Sequence, residues 1–189
     1  MADGYRGIVG AYPYALLASR SLLFKAWVLA SALATLLIGG FVTLGIVFLI
    51  GQTAGIAGGS LTLSRAFYVV VGLFVVAPVV APTLLVARRH RRAKTGDGDD
   101  SAGDGAAEPS AAPAPSVTYD RLLALSGFAF LLLLYVGLVV TVPADQQQPV
   151  SPGVWAPLIR YLYSLPQLAG LVPPAAGAVL VYLAHRVGR

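Results

Sequence analysis

The sequence contains no cysteine, and this absence excludes several kinds of structure and chemistry. Without thiols the chain forms no disulfide, holds no thiolate-ligated metal and has no cysteine nucleophile. Charge is also scarce, since Asp, Glu, Lys and Arg make up 11% of the 189 residues, against about 25% in soluble proteins. Hydrophobic residues make up 57%, so the composition is that of a membrane protein.

Four long apolar runs contain no charged residue: Trp27–Ile50, Ala66–Ala87, Leu122–Val142 and Leu165–Ala184. A helix needs about 20 apolar residues to cross a hydrocarbon core about 30 Å thick, and each run reaches that length. The first run begins too late, and is too long, for a cleavable signal peptide. The sequence therefore predicts an all-α integral membrane protein with four transmembrane helices arranged as two hairpins.

The four runs divide the chain into four parts. We predict an interfacial segment at residues 1–26, a transmembrane hairpin with a basic end at 27–94, a cytoplasmic linker at 95–118 and a second hairpin at 119–189. The linker is rich in Gly, Ala, Ser, Pro and Asp and has no large apolar residue before Val117. Because it has nothing to bury, it is predicted to be disordered.

Two short amphipathic helices are predicted at the membrane surface. Leu16, Leu23 and Trp27 share one helical face beside Arg20 and Lys25, which suits a helix lying in the headgroup layer. The alternative is that the first transmembrane helix begins earlier and Lys25 extends to the interface. In the outer loop, a similar spacing is found at Trp155, Leu158, Ile159, Leu162 and Tyr163.

Basic residues lie almost entirely on one side of this topology. With a cytoplasmic N-terminus, the inner side holds 11 Lys and Arg residues and the outer side only Arg65 and Arg160. The inner residues are Arg6, Arg20, Lys25, Arg88, Arg89, Arg91, Arg92, Lys94, Arg121, Arg186 and Arg189. Because cytoplasmic loops carry the excess of Lys and Arg, we predict a cell-membrane protein whose two termini and linker face the cytoplasm.

One block of these residues forms a basic patch after the second run, at Arg88, Arg89, Arg91, Arg92 and Lys94. Its place beside a membrane entry indicates contact with anionic lipid headgroups. The same placement accounts for the net charge of +5 without any nucleic-acid partner.

Small side chains recur every four residues in the first run, at Ser31, Thr35, Gly39 and Thr43. Such a stripe allows two membrane helices to approach closely and to form hydrogen bonds with each other. We therefore predict a helix-packing face. The alternative is that the stripe forms a polar wall of a permeation path.

Prolines interrupt the second and fourth runs, and Pro78, Pro82, Pro173 and Pro174 are predicted to kink their helices. A helix broken at Pro173–Pro174 is also typical of transporters, where broken helices expose backbone carbonyls to substrates. Six polar residues are candidates to line such a path: Ser31, Thr35, Thr43, Ser126, Tyr135 and Gln167.

No Asp, Glu, His, Lys or Arg lies within the four runs, although such residues usually mark catalysis or transport in membranes. His90 and His185 lie at cytoplasmic helix ends, where metal or haem ligation is possible but a solvated histidine is the favoured interpretation. No metalloprotease, nucleophile-elbow or phosphate-loop motif is present. We predict no catalytic residue, no metal site and no cofactor.

The segment Gly96–Gly105, rich in Asp, Gly and Ala, resembles linkers in proteins of halophilic archaea. The Ala-, Val-, Leu- and Gly-rich spans fit this resemblance. The chain looks like the small multi-pass membrane proteins of those organisms that have no assigned function, so the resemblance implies no functional residue.

These patterns predict a non-enzymatic accessory or scaffold subunit that acts by helix association. Its expected partners are membrane lipids and other membrane proteins or a second copy of itself. The alternative is a small transporter or channel component with a proline-broken fourth helix.

Overall fold

A computed structural model describes residues 7–53, 59–95 and 116–188. The described residues form α1 (Gly7–Ala18), α2 (Leu22–Thr53), α3 (Gly59–Thr95), α4 (Val117–Val140), α5 (Ala156–Ser164) and α6 (Val172–Val187), with 3₁₀ segments at Ala144–Gln146 and Gln167–Leu171. No strand occurs in these ranges, so the predicted all-α fold is confirmed.

Four helical stretches are long and apolar enough to cross a membrane: Leu22–Thr53, Ala66–Ala93, Val117–Val140 and Gln167–Val187. They contain the four predicted runs except at a few terminal residues, and they identify the protein as a multi-pass membrane protein. The most extensive contacts join α4 to α6 and α2 to α3.

Residues 7–18 form a separate helix, and α2 begins at Leu22 rather than at Trp27, so Leu16 lies on α1 whereas Leu23 lies on α2. The break falls at residues 19–21, where the Oγ atom of Ser21 accepts a hydrogen bond from the backbone N–H of Phe24. A serine in this position satisfies a donor that the first turn of a helix leaves open. The position of α1 in the headgroup layer stays a prediction.

The predicted linker is shortened at both ends, because Thr95 belongs to α3 and residues 117–118 belong to α4. Ser116 caps α4, and its side chain accepts a hydrogen bond from the N–H of Tyr119. The rest of the predicted disordered linker, residues 96–115, lies outside the described residues. Residues 54–58, in the turn between α2 and α3, also lie outside them.

The four predicted kink residues occupy two different settings. Pro78 and Pro82 lie inside α3. Pro173 and Pro174 lie in the first turn of α6, directly after the 3₁₀ segment Gln167–Leu171. A proline in a first turn removes no helical hydrogen bond, so this pair marks a helix start within the fourth span.

Buried apolar side chains gather toward one end of the bundle. We call the end where α3 stops and α4 begins the linker end, and the opposite end the loop end. Fully buried residues of the linker end are Ala11, Ala15, Phe24, Trp27, Val86, Ala87, Leu123 and Ala124. A smaller cluster of Val79, Phe130 and Val181 lies next to it. The packed core therefore places five elements around the polar side chains of the linker end.

Candidate functional site

Six polar side chains from four parts of the chain meet at the linker end. They are Ser19 from the α1–α2 junction, Arg89 and His90 from α3, Tyr119 and Asp120 from α4, and His185 from α6. We call them the linker-end cluster. Each of these side chains contacts a partner on a different part of the chain, so tertiary packing brings the cluster together.

Asp120 is the centre of this cluster and is only 1% exposed. Its Oδ2 atom accepts a hydrogen bond from the Oγ atom of Ser19 at 2.5 Å and lies 3.2 Å from Nε2 of His90. Ser19 also accepts a hydrogen bond from the N–H of Ser21. One carboxylate thus connects the α1–α2 junction, the end of α3 and the start of α4.

A second set of contacts fixes the end of α6. The hydroxyl oxygen of Tyr119 lies 2.7 Å from Nδ1 of His185. The guanidinium of Arg89 lies 4.1 Å from the centre of the Tyr119 ring and donates a hydrogen bond to the carbonyl oxygen of Gly188. The contact with the ring is a cation–π interaction, and the contact with Gly188 satisfies a carbonyl at a helix end.

The geometry of Ser19 differs from that of an activated nucleophile. An activated serine gives its proton to an imidazole, which a carboxylate then orients. Here Ser19 donates to the carboxylate itself, and His90 approaches that carboxylate from α3. Ser19 is also 1% exposed. The arrangement is suited to holding helices together.

The structure contradicts the interpretation of His90 and His185 as solvated residues. The side chain of His90 is 13% exposed and paired with Asp120, and His185 is paired with Tyr119. Each histidine has its polar partner at the start of α4, Asp120 for His90 and Tyr119 for His185. Within the described ranges there is no group of three or more His, Asp or Glu residues that could hold a metal ion.

The small-residue stripe of α2 runs from the core to the surface of the chain. Ser31 is fully buried, donates a hydrogen bond to the carbonyl of Val28 and lies 3.2 Å from the hydroxyl of Thr83 on α3. A Cβ atom on Gly39 would meet nothing within 4 Å. Thr43 is exposed and donates only to the carbonyl of Gly39. Of these three residues, Ser31 is the one whose side chain reaches a polar group on α3.

Thr35 lies between these two environments. Its hydroxyl oxygen is buried and finds no hydrogen-bond partner among the described residues. The contact of α2 with α3 in this region uses other positions. A Cβ atom on Gly72 would lie 2.9 Å from Val42, and one on Gly45 would lie 3.5 Å from the ring of Tyr68.

The residues of the basic patch lie in different surroundings. Arg88, Arg91 and Arg92 are exposed, whereas Arg89 turns into the linker-end cluster. The side chain of Lys94 lies outside the described part of the chain. The prediction of headgroup contact thus applies to the exposed arginines and excludes Arg89.

The six candidate residues for a permeation path do not line one common interior. Ser31 and Ser126 are buried, whereas Thr43 and Tyr135 are exposed. The break in the fourth span is closely covered by α4, since a Cβ atom on Gly137 would lie 2.5 Å from the carbonyl oxygen of Gly170. The backbone of the broken helix therefore packs on a neighbouring backbone in this chain.

A profile described as Domain of unknown function (DUF8056) matches residues 1–104 and 110–189. No curated protein matches the chain, and no solved structure matches it.

Proposed function

We propose that this chain, which belongs to the DUF8056 family, is a non-enzymatic accessory or scaffold subunit that associates with other membrane proteins or with a second copy of itself. The observation that carries this proposal is the open face of α2 around Gly39, where an added Cβ atom would meet no atom of the described chain within 4 Å. The linker-end cluster holds the rest of the fold in the shape that presents this face.

The distribution of buried residues supports the proposal. On α2, no residue between Ser31 and Thr53 is buried, and on α3 only Gly72 is buried between Ala66 and Pro78. These halves of α2 and α3 touch each other but leave most of their surface to lipid or to another protein. The linker end, by contrast, is packed tightly.

The chemistry of the open face favours another helix over lipid alone. Glycine and threonine at Gly39 and Thr43 let a second backbone approach closely, which lipid tails do not require. Leu36 and Leu44 are exposed beside this face and extend the apolar contact area.

We place the linker end in the cytoplasm on the strength of the excess of Lys and Arg there. The exposed Arg88 and the neighbouring basic residues then face anionic lipid headgroups. An accessory subunit in this orientation presents its open α2 face to the membrane and its basic end to the inner leaflet.

Replacing Gly39 with leucine tests the proposal with little effect on the fold, because the added side chain enters open space. We expect Gly39→Leu to reduce association by about tenfold, the effect of losing about 1.4 kcal/mol of packing at a helix contact. The measurement is co-purification from native membranes of the tagged chain with a second, differently tagged copy and with any stoichiometric membrane partner.

Gly40→Leu is the matched control. Gly40 is the next residue of the same helix, points about 100° away from Gly39, and an added Cβ atom there also meets nothing within 4 Å. We expect this variant to retain the partner. Equal retention by both variants, or the absence of any stoichiometric partner for the parent chain, would show that the α2 face is covered by lipid only.

A further inference from the structure

α1 contacts the linker-end core through one face. Ala11 and Ala15 are fully buried there, whereas Ile8, Val9 and Leu17 are largely exposed on the other side of the helix. Three half-buried side chains of α1 also pack against this core: Tyr12, Tyr14 and Leu16. The burial of this face holds α1 against the bundle.

The docked position of α1 also carries an unfavourable term. The hydroxyl of Tyr12 is buried and finds no hydrogen-bond partner among the described residues. A buried hydroxyl without a partner destabilises the arrangement that buries it. Moving α1 outward would give this hydroxyl access to water or lipid headgroups.

One buried hydrogen bond attaches the C-terminal end of α1 to α4. Ser19 follows the last residue of α1 and donates to Asp120, which His90 supports from α3. Residues 19–21 are not helical and separate α1 from α2. A buried hydrogen bond thus lies at the joint about which α1 would turn.

We infer that α1 is a strap with two positions, held closed on α3 by the Ser19–Asp120 hydrogen bond and opened by rotation about residues 19–21. In the closed position it covers the part of α3 that carries Val86 and Ala87, which belong to the same buried cluster as Ala11 and Ala15. In the open position its exposed apolar row enters the headgroup layer together with Tyr12. This regulatory element is separate from the association face of α2.

The absence of native cysteines allows one introduced thiol to report the position of α1. Ala15→Cys places it under the strap, where Ala15 is fully buried. Leu17→Cys places it on the exposed side of α1 as a reference, because Leu17 is 82% exposed. The reaction of each purified full-length variant with a water-soluble maleimide is followed by mass spectrometry in nanodiscs.

Two further substitutions should shift the strap in opposite directions. Ser19→Ala removes the latch, and we expect it to speed the reaction of Ala15→Cys by about tenfold, the effect of one hydrogen bond. Tyr12→Phe removes the unpaired hydroxyl, and we expect it to slow the same reaction by about threefold or more, because the closed position loses its unfavourable term.

Ala184→Cys distinguishes movement of α1 from opening of the whole linker end. Ala184 is buried on α6 in the same core. Its reaction should stay unchanged in both backgrounds. Equal acceleration of Ala184→Cys and Ala15→Cys by Ser19→Ala would overturn the inference, as would an unchanged rate of Ala15→Cys. If Ser19→Ala fails to fold, Tyr12→Phe provides the test. A faster or unchanged reaction of Ala15→Cys in the Tyr12→Phe background would then refute the strap.

Discussion

Replacing Asp120 with alanine is expected to lower the free energy of unfolding by about 1–3 kcal/mol or more, the usual cost of leaving a buried hydrogen-bonding group without its partner. The carboxylate is 1% exposed and joins Ser19 with His90. Its removal leaves both partners buried without their acceptor. The loss should exceed that of Ser19→Ala, which leaves the pair between Asp120 and His90 in place.

The unfolding of detergent-solubilised protein by sodium dodecyl sulfate measures this prediction. Asp145→Asn is the control, because Asp145 is exposed at the loop end and should change stability by no more than about 0.5 kcal/mol. In a double-mutant cycle, Asp120→Ala and His90→Ala should be strongly non-additive, since each removes the same pair. Additive losses, or a loss for Asp120→Ala no larger than that for Asp145→Asn, would contradict the assignment of Asp120 as the centre of the cluster.

Gly127→Ala is expected to destabilise the fold by about 1–3 kcal/mol or more, because it inserts a methyl group into a filled contact. A Cβ atom at this position would lie 2.5 Å from Cζ2 and 2.7 Å from Cε2 of Trp27. The indole is fully buried and packs edge-on against Phe128, with ring centres 5.2 Å apart, so it has no room to withdraw.

Trp155→Phe leaves Trp27 as the only tryptophan, so its fluorescence reports this contact during unfolding. Gly39→Ala is the control and should cause no loss, because its added methyl group meets no atom within 4 Å. A second-site change, Trp27→Leu, should recover part of the stability that Gly127→Ala removes, and helical circular dichroism replaces fluorescence as the measurement for this variant because it lacks Trp27. If Gly127→Ala is as stable as the parent chain, the close contact of α2 with α4 is wrong.

The four spans could be predicted because they depend on local composition. Apolar runs of about 20 residues are long enough to form a membrane helix whatever their neighbours are. The start of α6 at Val172, directly before Pro173, could also have been found from sequence, since proline is favoured in a first turn. The sequence predicts a kink at Pro173 and Pro174, and the fourth span changes there from a 3₁₀ segment to an α-helix.

The linker-end cluster could not be predicted, because its contacts join distant parts of the chain. Ser19 and Asp120 are 101 residues apart, and His90 and Asp120 are 30 apart with a linker between them. No periodicity relates such positions. The one available signal was an acidic residue two positions before a predicted span, which helix-end preferences also explained.

The small-residue stripe shows how far a local pattern determines packing. It includes Ser31, whose hydroxyl meets that of Thr83 on α3 in the core. The spacing of the stripe could not tell whether Gly39 and Thr43 face this chain or another one. Whether they contact this chain or another depends on the positions of α4 and α6, and the sequence of α2 does not determine those positions.

The central claim is that four helices cross the membrane with the linker end in the cytoplasm. Single cysteines at Ala93, at the linker end, and at Ser151, in the loop between α4 and α6, test it directly, because both positions are exposed and the chain has no other thiol. We predict that a membrane-impermeant maleimide labels Ser151→Cys on intact cells and labels Ala93→Cys only after permeabilisation. Labelling of Ala93→Cys alone on intact cells would reverse the orientation, and labelling of both would show that α4 does not cross the membrane.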